Sequence, residues 1–261
     1  MSNVLIKSEE EITLMRESGR LLALVFKALD EYIQPGISTM QINDFVEQFI
    51  VESLKARPAS KGQYGYQYVL NSSINDVVCH GVPSAAKKLK SGDIVNIDIT
   101  LEKAGYIADS SKMYLIGTPL PLSKKLVDVT YEAMWQGILQ IKPGATLGDI
   151  GYAIQSYTEK HGFSVVRDYC GHGIGREMHE EPEVLHIGKP NTGLVLTQGM
   201  IFTVEPMINQ GTYKTKQKKD GWTVITRDKK LSAQWEHTIL VTESGFEVLT
   251  LREEESIPVV L

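Results

Sequence analysis

The chain has 261 residues, a hydrophobic fraction of 42%, a charged fraction of 23% and a formal net charge of −5. That length can bury a substantial core, and the mild acidity gives no support to a main role on nucleic acid or a membrane surface. Two cysteines without a CxxC, no run of about 18 apolar residues and no apolar leader in MSNVLIKSEEEI point to a reduced, soluble, cytoplasmic protein.

Ser8 with Glu11 three residues later forms a capping box. Ile12, Met15, Gly19, Leu22, Phe26, Leu29 and Ile33 then make one apolar stripe, so a first helix runs until just before Pro35-Gly36. A second follows Ser38, with Ile42, Phe45, Val46, Phe49 and Ile50 inward. Residues 57–84, rich in Gly, Ser, Asn and Tyr, read as loop apart from a short strand around Val77 to His80. Leu89 to Gly117 reads as two strands with a turn near Glu102 to Gly105. On the first strand Asn96, Asp98 and Thr100 share a face, opposite Val95, Ile97 and Ile99. Asp109 opens the second strand, ahead of Met113 to Ile116. Carboxylates set into strands this apolar need a cation or a proton.

The pattern then recurs. IQPGISTMQIND (33–44) is echoed by IKPGATLGDIG (141–151), which places helices from about Ser123 to Gln140 and from Thr146 to about His161. LKSGDIVNID (89–98) is echoed by LTQGMIFTVE (196–205), aligning Gly92 with Gly199 and Asp98 with Glu205. Glu236, opening the run Thr238 to Val241, echoes Asp109. Thr212 to Gly221, with Lys214, Lys216, Lys218 and Lys219, reads as a solvated loop rather than a binding patch. A hairpin Trp222 to Glu236 and a last one around Glu243 to Gly245 complete the chain. Matches in the same order imply duplication: an α+β fold and a single domain over 1–261. Its halves, about 1–120 and 121–261, place helices over a shared antiparallel sheet.

Histidine separates a proton-sharing carboxylate cluster from a metal site. His172 in CGHGIG lies between glycines that permit close backbone approach, so its imidazole can sit deep in the sheet. Asp98, Asp109, His172, Glu205 and Glu236 form an oxygen-rich set with one nitrogen. That suits two divalent first-row ions (Mn, Fe, Co or Zn) better than one tetrahedral zinc. Two such ions about 3.5–4 Å apart are a usual arrangement for hydrolysis.

VVCHGVP (77–83), VNIDIT, ADSSKMYLIG, YCGHGIGREMHEEPEVLH (169–186), FTVEPM and LSAQWEHTILVT together carry a resemblance over essentially the whole chain. They resemble the bacterial type I methionine aminopeptidases, of the pita-bread metallopeptidase family. The resemblance implies the duplicated pita-bread fold and removal of initiator methionine from nascent polypeptides by metal-hydroxide attack on the first peptide bond. It also implies that Asp98 chelates one metal, His172 and Glu205 the other, and that Asp109 and Glu236 bridge them. By the same resemblance His80 and His179 contact substrate, Glu205 shuttles a proton, and a monovalent cation, where bound, lies near Asn75, Val77 and Ser232. The working form is a monomer.

The match loosens in the methionine pocket. Where the family usually places cysteine and aromatic side chains, this chain has Ser60, Gln63, Tyr66 and Asn71, with Met178 where an aromatic is common; Trp222 walls the pocket. A polar pocket weakens binding of a thioether, because polar groups left unpaired carry a penalty. Metal chemistry is therefore more firmly implied than strict methionine specificity. The alternatives are an aminopeptidase of this fold with another N-terminal specificity, including one acting before proline, and a non-catalytic homologue contacting ribosomes through Lys214 to Lys219. Loss of candidate ligands would mark the latter, and all five are present.

Overall fold

The first helix, α1 (Glu9–Tyr32), starts where the capping box demands: the Ser8 hydroxyl accepts the Glu11 N–H, and the Glu11 carboxylate accepts the Ser8 N–H at 2.9 Å. These coordinates, a computed structural model, describe residues 3–258; residues 1, 2 and 259–261 lie outside them, including the first two residues of the N-terminal stretch. The apolar stripe of α1 is buried, and Gly19 sits where a Cβ would lie 2.1 Å from the Leu249 carbonyl oxygen. Helix α2 (Thr39–Gln48) has a second box, Ser38 with Gln41, and runs into a π-helical turn at Phe49–Ser53. Ile42, Val46 and Ile50 are buried, while Phe45 and Phe49 are half-buried and stack with each other.

Three short strands come next, β1 (Arg57–Pro58), β2 (Leu70–Ile74) and β3 (Val77–Cys79), followed by the long β4 (Ile94–Lys103), which pairs with β5 (Tyr106–Leu115) as the central hairpin. The turn is Ala104-Gly105, both with positive φ. Val95, Ile97 and Ile99 are wholly buried against the first two helices, each contributing about 1.5–3 kcal/mol by burial. Residues 57–84 are less loop-like than expected. β1 and β2 both pair with β4, with Asn71 facing Asp98 across the ladder. Polar Asn71, Ser72 and Ser73 mask this strand because part of it lines the cavity described below.

The second half repeats the order helix, helix, strand pairs. α3 (Pro121–Ile138) has Pro121 in its first turn, and α4 (Leu147–Lys160) is capped by Thr146 with Asp149. Then come β6 (Ser164–Val165), β7 (Gly171–Gly173), β8 (Glu180–Val184), β9 (Ile201–Val204), β10 (Met207–Asn209), β11 (Thr215–Gln217), β12 (Val224–Thr226), β13 (Ser232–Gln234), β14 (His237–Val241) and β15 (Phe246–Val248). β14 pairs with β9 and β15, as the last hairpin requires. Two local expectations are corrected. Trp222 to Glu236 is not a hairpin, since β12 pairs with β3 and β11 while β13 pairs with β10. Part of the lysine segment is strand β11, held by main-chain bonds that its polar side chains do not betray.

All these ladders are antiparallel; the strands fall into four sheets of 4, 3, 3 and 5 strands, and at the seam an isolated bridge between Ser111 and Glu236 joins β5 to the residue before β14. One apolar cluster lies beneath the first helix pair, and a second beneath α3 and α4. The seam between them positions the site.

Candidate metal centre

Five side chains converge at the seam. Asp98 comes from mid-β4, Asp109 from β5, His172 from β7, Glu205 from the residue after β9, and Glu236 from the residue before β14. Ligand atoms of Asp109, His172 and Glu236 lie within 4.8 Å of one another. His172 Nε2 is 3.5 Å from Glu205 Oε1 and 3.8 Å from Asp109 Oδ2. The flanking glycines are needed here. A Cβ at position 171 would meet the Thr203 carbonyl oxygen at 2.3 Å, and one at 173 the Glu181 carbonyl oxygen at 2.1 Å.

Neighbours fix each group. His172 Nδ1 donates to the Gly173 carbonyl at 3.0 Å, which leaves the Nε2 lone pair toward the carboxylates. Thr203 Oγ1 accepts the His172 N–H and donates to Glu205 Oε1 at 2.9 Å. Gln234 Nε2 donates to Glu205 Oε2, and the Glu205 N–H donates to His186 Nε2 at 3.1 Å. Thr238 both accepts from the Asp109 N–H and donates to its carbonyl. Behind the seam Arg252 is 2% exposed. Its Nη1 donates to Ser110 Oγ at 3.1 Å, that hydroxyl donates to the Glu236 carbonyl at 2.7 Å, and its Nη2 donates to Glu255 at 2.8 Å. Nothing local in the sequence singled out Thr203, Gln234, Thr238 or Arg252; threonine beside a carboxylate on alternating strand positions is the signal that was available.

Electrostatics show what the centre lacks. Burial, then neighbouring carboxylates, holds Asp109, Glu205 and Glu236 well above the ordinary carboxylate range. Burial pushes Asp98 to about 6 and His172 down to about 3. Asp109 Oδ1 is buried without a hydrogen-bond partner, and no Lys or Arg lines the cavity among the described residues. Three buried carboxylates, half-buried Asp98, an orphan oxygen and one imidazole lone pair fit divalent cations bound by oxygen and nitrogen.

The same shifts set a stability profile. Above about pH 7.5 the buried histidines are neutral both folded and unfolded, so the raised carboxylates dominate. Their folded pKa values are raised, so the stabilisation present at low pH is lost as pH rises through those values. The melting temperature of chelator-treated protein is expected to fall across this range, and saturating divalent metal is expected to flatten the decline. Melting curves at stepped pH check this; a metal-free profile that stays flat or rises contradicts it.

A cavity of about 610 Å³ opens beside the five groups. Every other expected substrate-side residue lines it: Ser60, Gln63, Tyr66, Asn71, His80, Met178, His179 and Trp222. His80 is held in the left-handed region (φ 54) and meets the Tyr169 ring edge-on. The His179 ring is 4.4 Å from that of His172, and its Nδ1 is 3.4 Å from the Tyr64 hydroxyl. Ser60 Oγ and Thr100 Oγ1 are 2.5 Å apart, and Tyr66 packs on Trp222 with ring centroids 4.8 Å apart. Tyr64, Thr100, Tyr169 and Met207 also line the wall and were not anticipated; Gly62 and Gly65 around Tyr64 marked a tight turn that could have been read. Away from the cavity, the Ser232 N–H donates to the Asn75 carbonyl at 2.8 Å, two residues before Val77. Cys79 and Cys170 are both free thiols.

The model of metallopeptidase family M24 matches residues 13–243. The methionine aminopeptidase of Salmonella typhimurium is 51% identical over 256 residues, covering 98% of this chain and 97% of that protein. The crystal structure of methionine aminopeptidase from Rickettsia prowazekii superposes with a TM-score of 0.93 at 51% identity, covering 95% of this chain and 100% of that one. The prolidase from Pyrococcus horikoshii shares the fold at a TM-score of 0.75 and 25% identity, but this chain covers only 64% of it. No described helix is long and apolar enough to cross a membrane.

Proposed function

Given that this chain belongs to metallopeptidase family M24, we propose that it is a metal-dependent aminopeptidase that removes the N-terminal methionine from nascent polypeptides. The observation that carries this reading is the convergence of three buried carboxylates, half-buried Asp98 and His172 on a cavity lined, among the described residues, by no Lys or Arg. In this reading Asp98 would hold one ion, His172 and Glu205 the other, and Asp109 and Glu236 would contribute to both. Divalent ions held there would supply Lewis-acid polarisation of the scissile carbonyl and acidify the attacking water.

The chain's own groups do the rest. The first residue enters the pocket of Ser60, Gln63, Tyr66, Asn71, Met178 and Trp222, and its free amine lies toward Asp98, so only a chain end fits. Glu205 takes the proton of the attacking water and passes it to the departing amide nitrogen. His179 is kept neutral by burial and donates an N–H to the carbonyl oxygen as charge builds on it. His80, also kept neutral by burial, contacts the substrate from the opposite wall.

The ions are Co, Mn, Fe or Zn, chosen by availability as much as by donor set. A monovalent cation near Asn75, Val77 and Ser232, a cytoplasmic monomer, a weak ribosome contact through Lys214 to Lys219, and one domain of halves 1–120 and 121–261 belong to the same reading.

The experiment is hydrolysis of Met-Ala-Ser by chelator-stripped protein with single metals returned. Activity restored by metal and absent in folded His172→Ala protein is the expected result; no activity with any metal overturns the reading. Leu- and Ala-led tripeptides test specificity. Methionine is expected to lead, with a narrowed margin because Gln63 and Asn71 face the thioether. Preference for either competitor rejects the methionine assignment.

A further inference from the structure

The pocket that takes the first side chain holds more hydrogen-bonding capacity than a thioether can use. Gln63 is half-buried on its wall, and its carboxamide makes no side-chain hydrogen bond with any described residue. The Asn71 amide, opposite Asp98 in the β2–β4 ladder, reaches only Asp98 Oδ2, at a long 3.5 Å. Buried Ser60 and Thr100 are spent largely on each other at 2.5 Å. Apolar surface on the same wall comes from Met178, and from Tyr66 against Trp222. Tyr66 contributes ring surface only, because its hydroxyl donates to the Leu70 carbonyl. The pocket therefore combines apolar surface with two under-used carboxamides.

A methionine sulfur is a weak acceptor, so a bound thioether leaves those amides poorly satisfied while stripping their water. Methionine sulfoxide has the same chain length and terminal methyl, with a strong, directional oxygen acceptor on the δ atom. We propose that this enzyme also removes N-terminal methionine sulfoxide, with Gln63 and Asn71 donating to the sulfoxide oxygen. The proposal rests on the aminopeptidase reading above. The chemistry is the same hydrolysis: water adds across the peptide bond, the sulfoxide leaves unchanged as the free amino acid, and no redox partner is involved. Because the sulfoxide sulfur is a stereocentre, two amides on fixed strand and loop positions favour one epimer.

The test uses metal-loaded full chain with Met-Ala-Ser and the two separated epimers of its N-terminal sulfoxide. One epimer is expected to be cleaved with kcat/KM within about tenfold of Met-Ala-Ser, since the hydrogen bonds gained, each about fivefold, offset the cost of desolvating the sulfoxide. In Gln63→Leu and Asn71→Leu proteins the ratio of sulfoxide to thioether kcat/KM is expected to fall about fivefold or more in at least one. The ratio is internal to each variant, so a general loss of activity does not imitate it. If both epimers are slower by more than tenfold, or if the ratio is unmoved in both variants, the proposal is overturned. Cleavage of Met-Ala-Ser in that case still upholds the aminopeptidase reading.

Discussion

Glu236→Gln is expected to lower kcat/KM for Met-Ala-Ser by about 10³-fold or more and, at the same time, to raise the melting temperature of the metal-free protein. Glu236 is 2% exposed, and its carboxylate is pressed on by Asp109, Glu205 and Asp98. Carboxamide in its place keeps the shape and removes the cost of burying that carboxylate, whether as a charge or by taking up a proton, so the metal-free protein gains about 1 kcal/mol or more, or about 2–4 °C for a chain of this size. The same charge is what draws cations together. Losing several kcal/mol of their electrostatic contribution costs a factor of ten for each roughly 1.4 kcal/mol. Three measurements decide it: the apo melting temperature, the further rise on adding metal, and kcat/KM. A variant that keeps activity within tenfold, or whose apo form melts lower, would remove Glu236 from the role assigned to it.

The second large effect is expected at His179. In His179→Ala protein kcat should fall about 10²–10³-fold, the usual loss when one donor to a developing oxyanion is removed, while KM stays within about threefold. The ring stands beside His172 with centroids 4.4 Å apart, so metal content must be measured alongside. Unchanged metal content with lost kcat is the expected signature. His179→Asn, which retains an N–H donor, should recover part of the rate. A variant in which metal falls in step with rate would mean that His179 supports His172 instead.

The parts of this site legible in the sequence were those with a local anomaly. Asp98 and Asp109 stand out because neighbours such as Val95, Ile97 and Met113 have no reason to tolerate a lone charge, and the repeat of LKSGDIVNID as LTQGMIFTVE pairs Asp98 with Glu205. His172 was marked by glycines whose missing Cβ atoms turn out to be occupied by backbone. The illegible parts depend on partners remote in sequence. β2 was hidden because Asn71 and Ser73 turn polar groups where a strand is expected to alternate, and β12 and β13 look like one hairpin until their partners β3 and β10 are known. The threonine and glutamine that steady Glu205, and the arginine behind the seam, are ordinary polar residues until the fold brings them there.

Arg252 also sets a clock. A chain is made and begins to fold from its N-terminus, and the pieces of this centre emerge in the order β4, β5, β7, β9, β14, with the guanidinium that ties Ser110 to the Glu236 strand coming last. A chain halted at residue 251 would own all five candidate ligands yet lack the guanidinium that backs Ser110 at the seam. The candidate ligand set is therefore complete in sequence before the guanidinium contact with Ser110 can form.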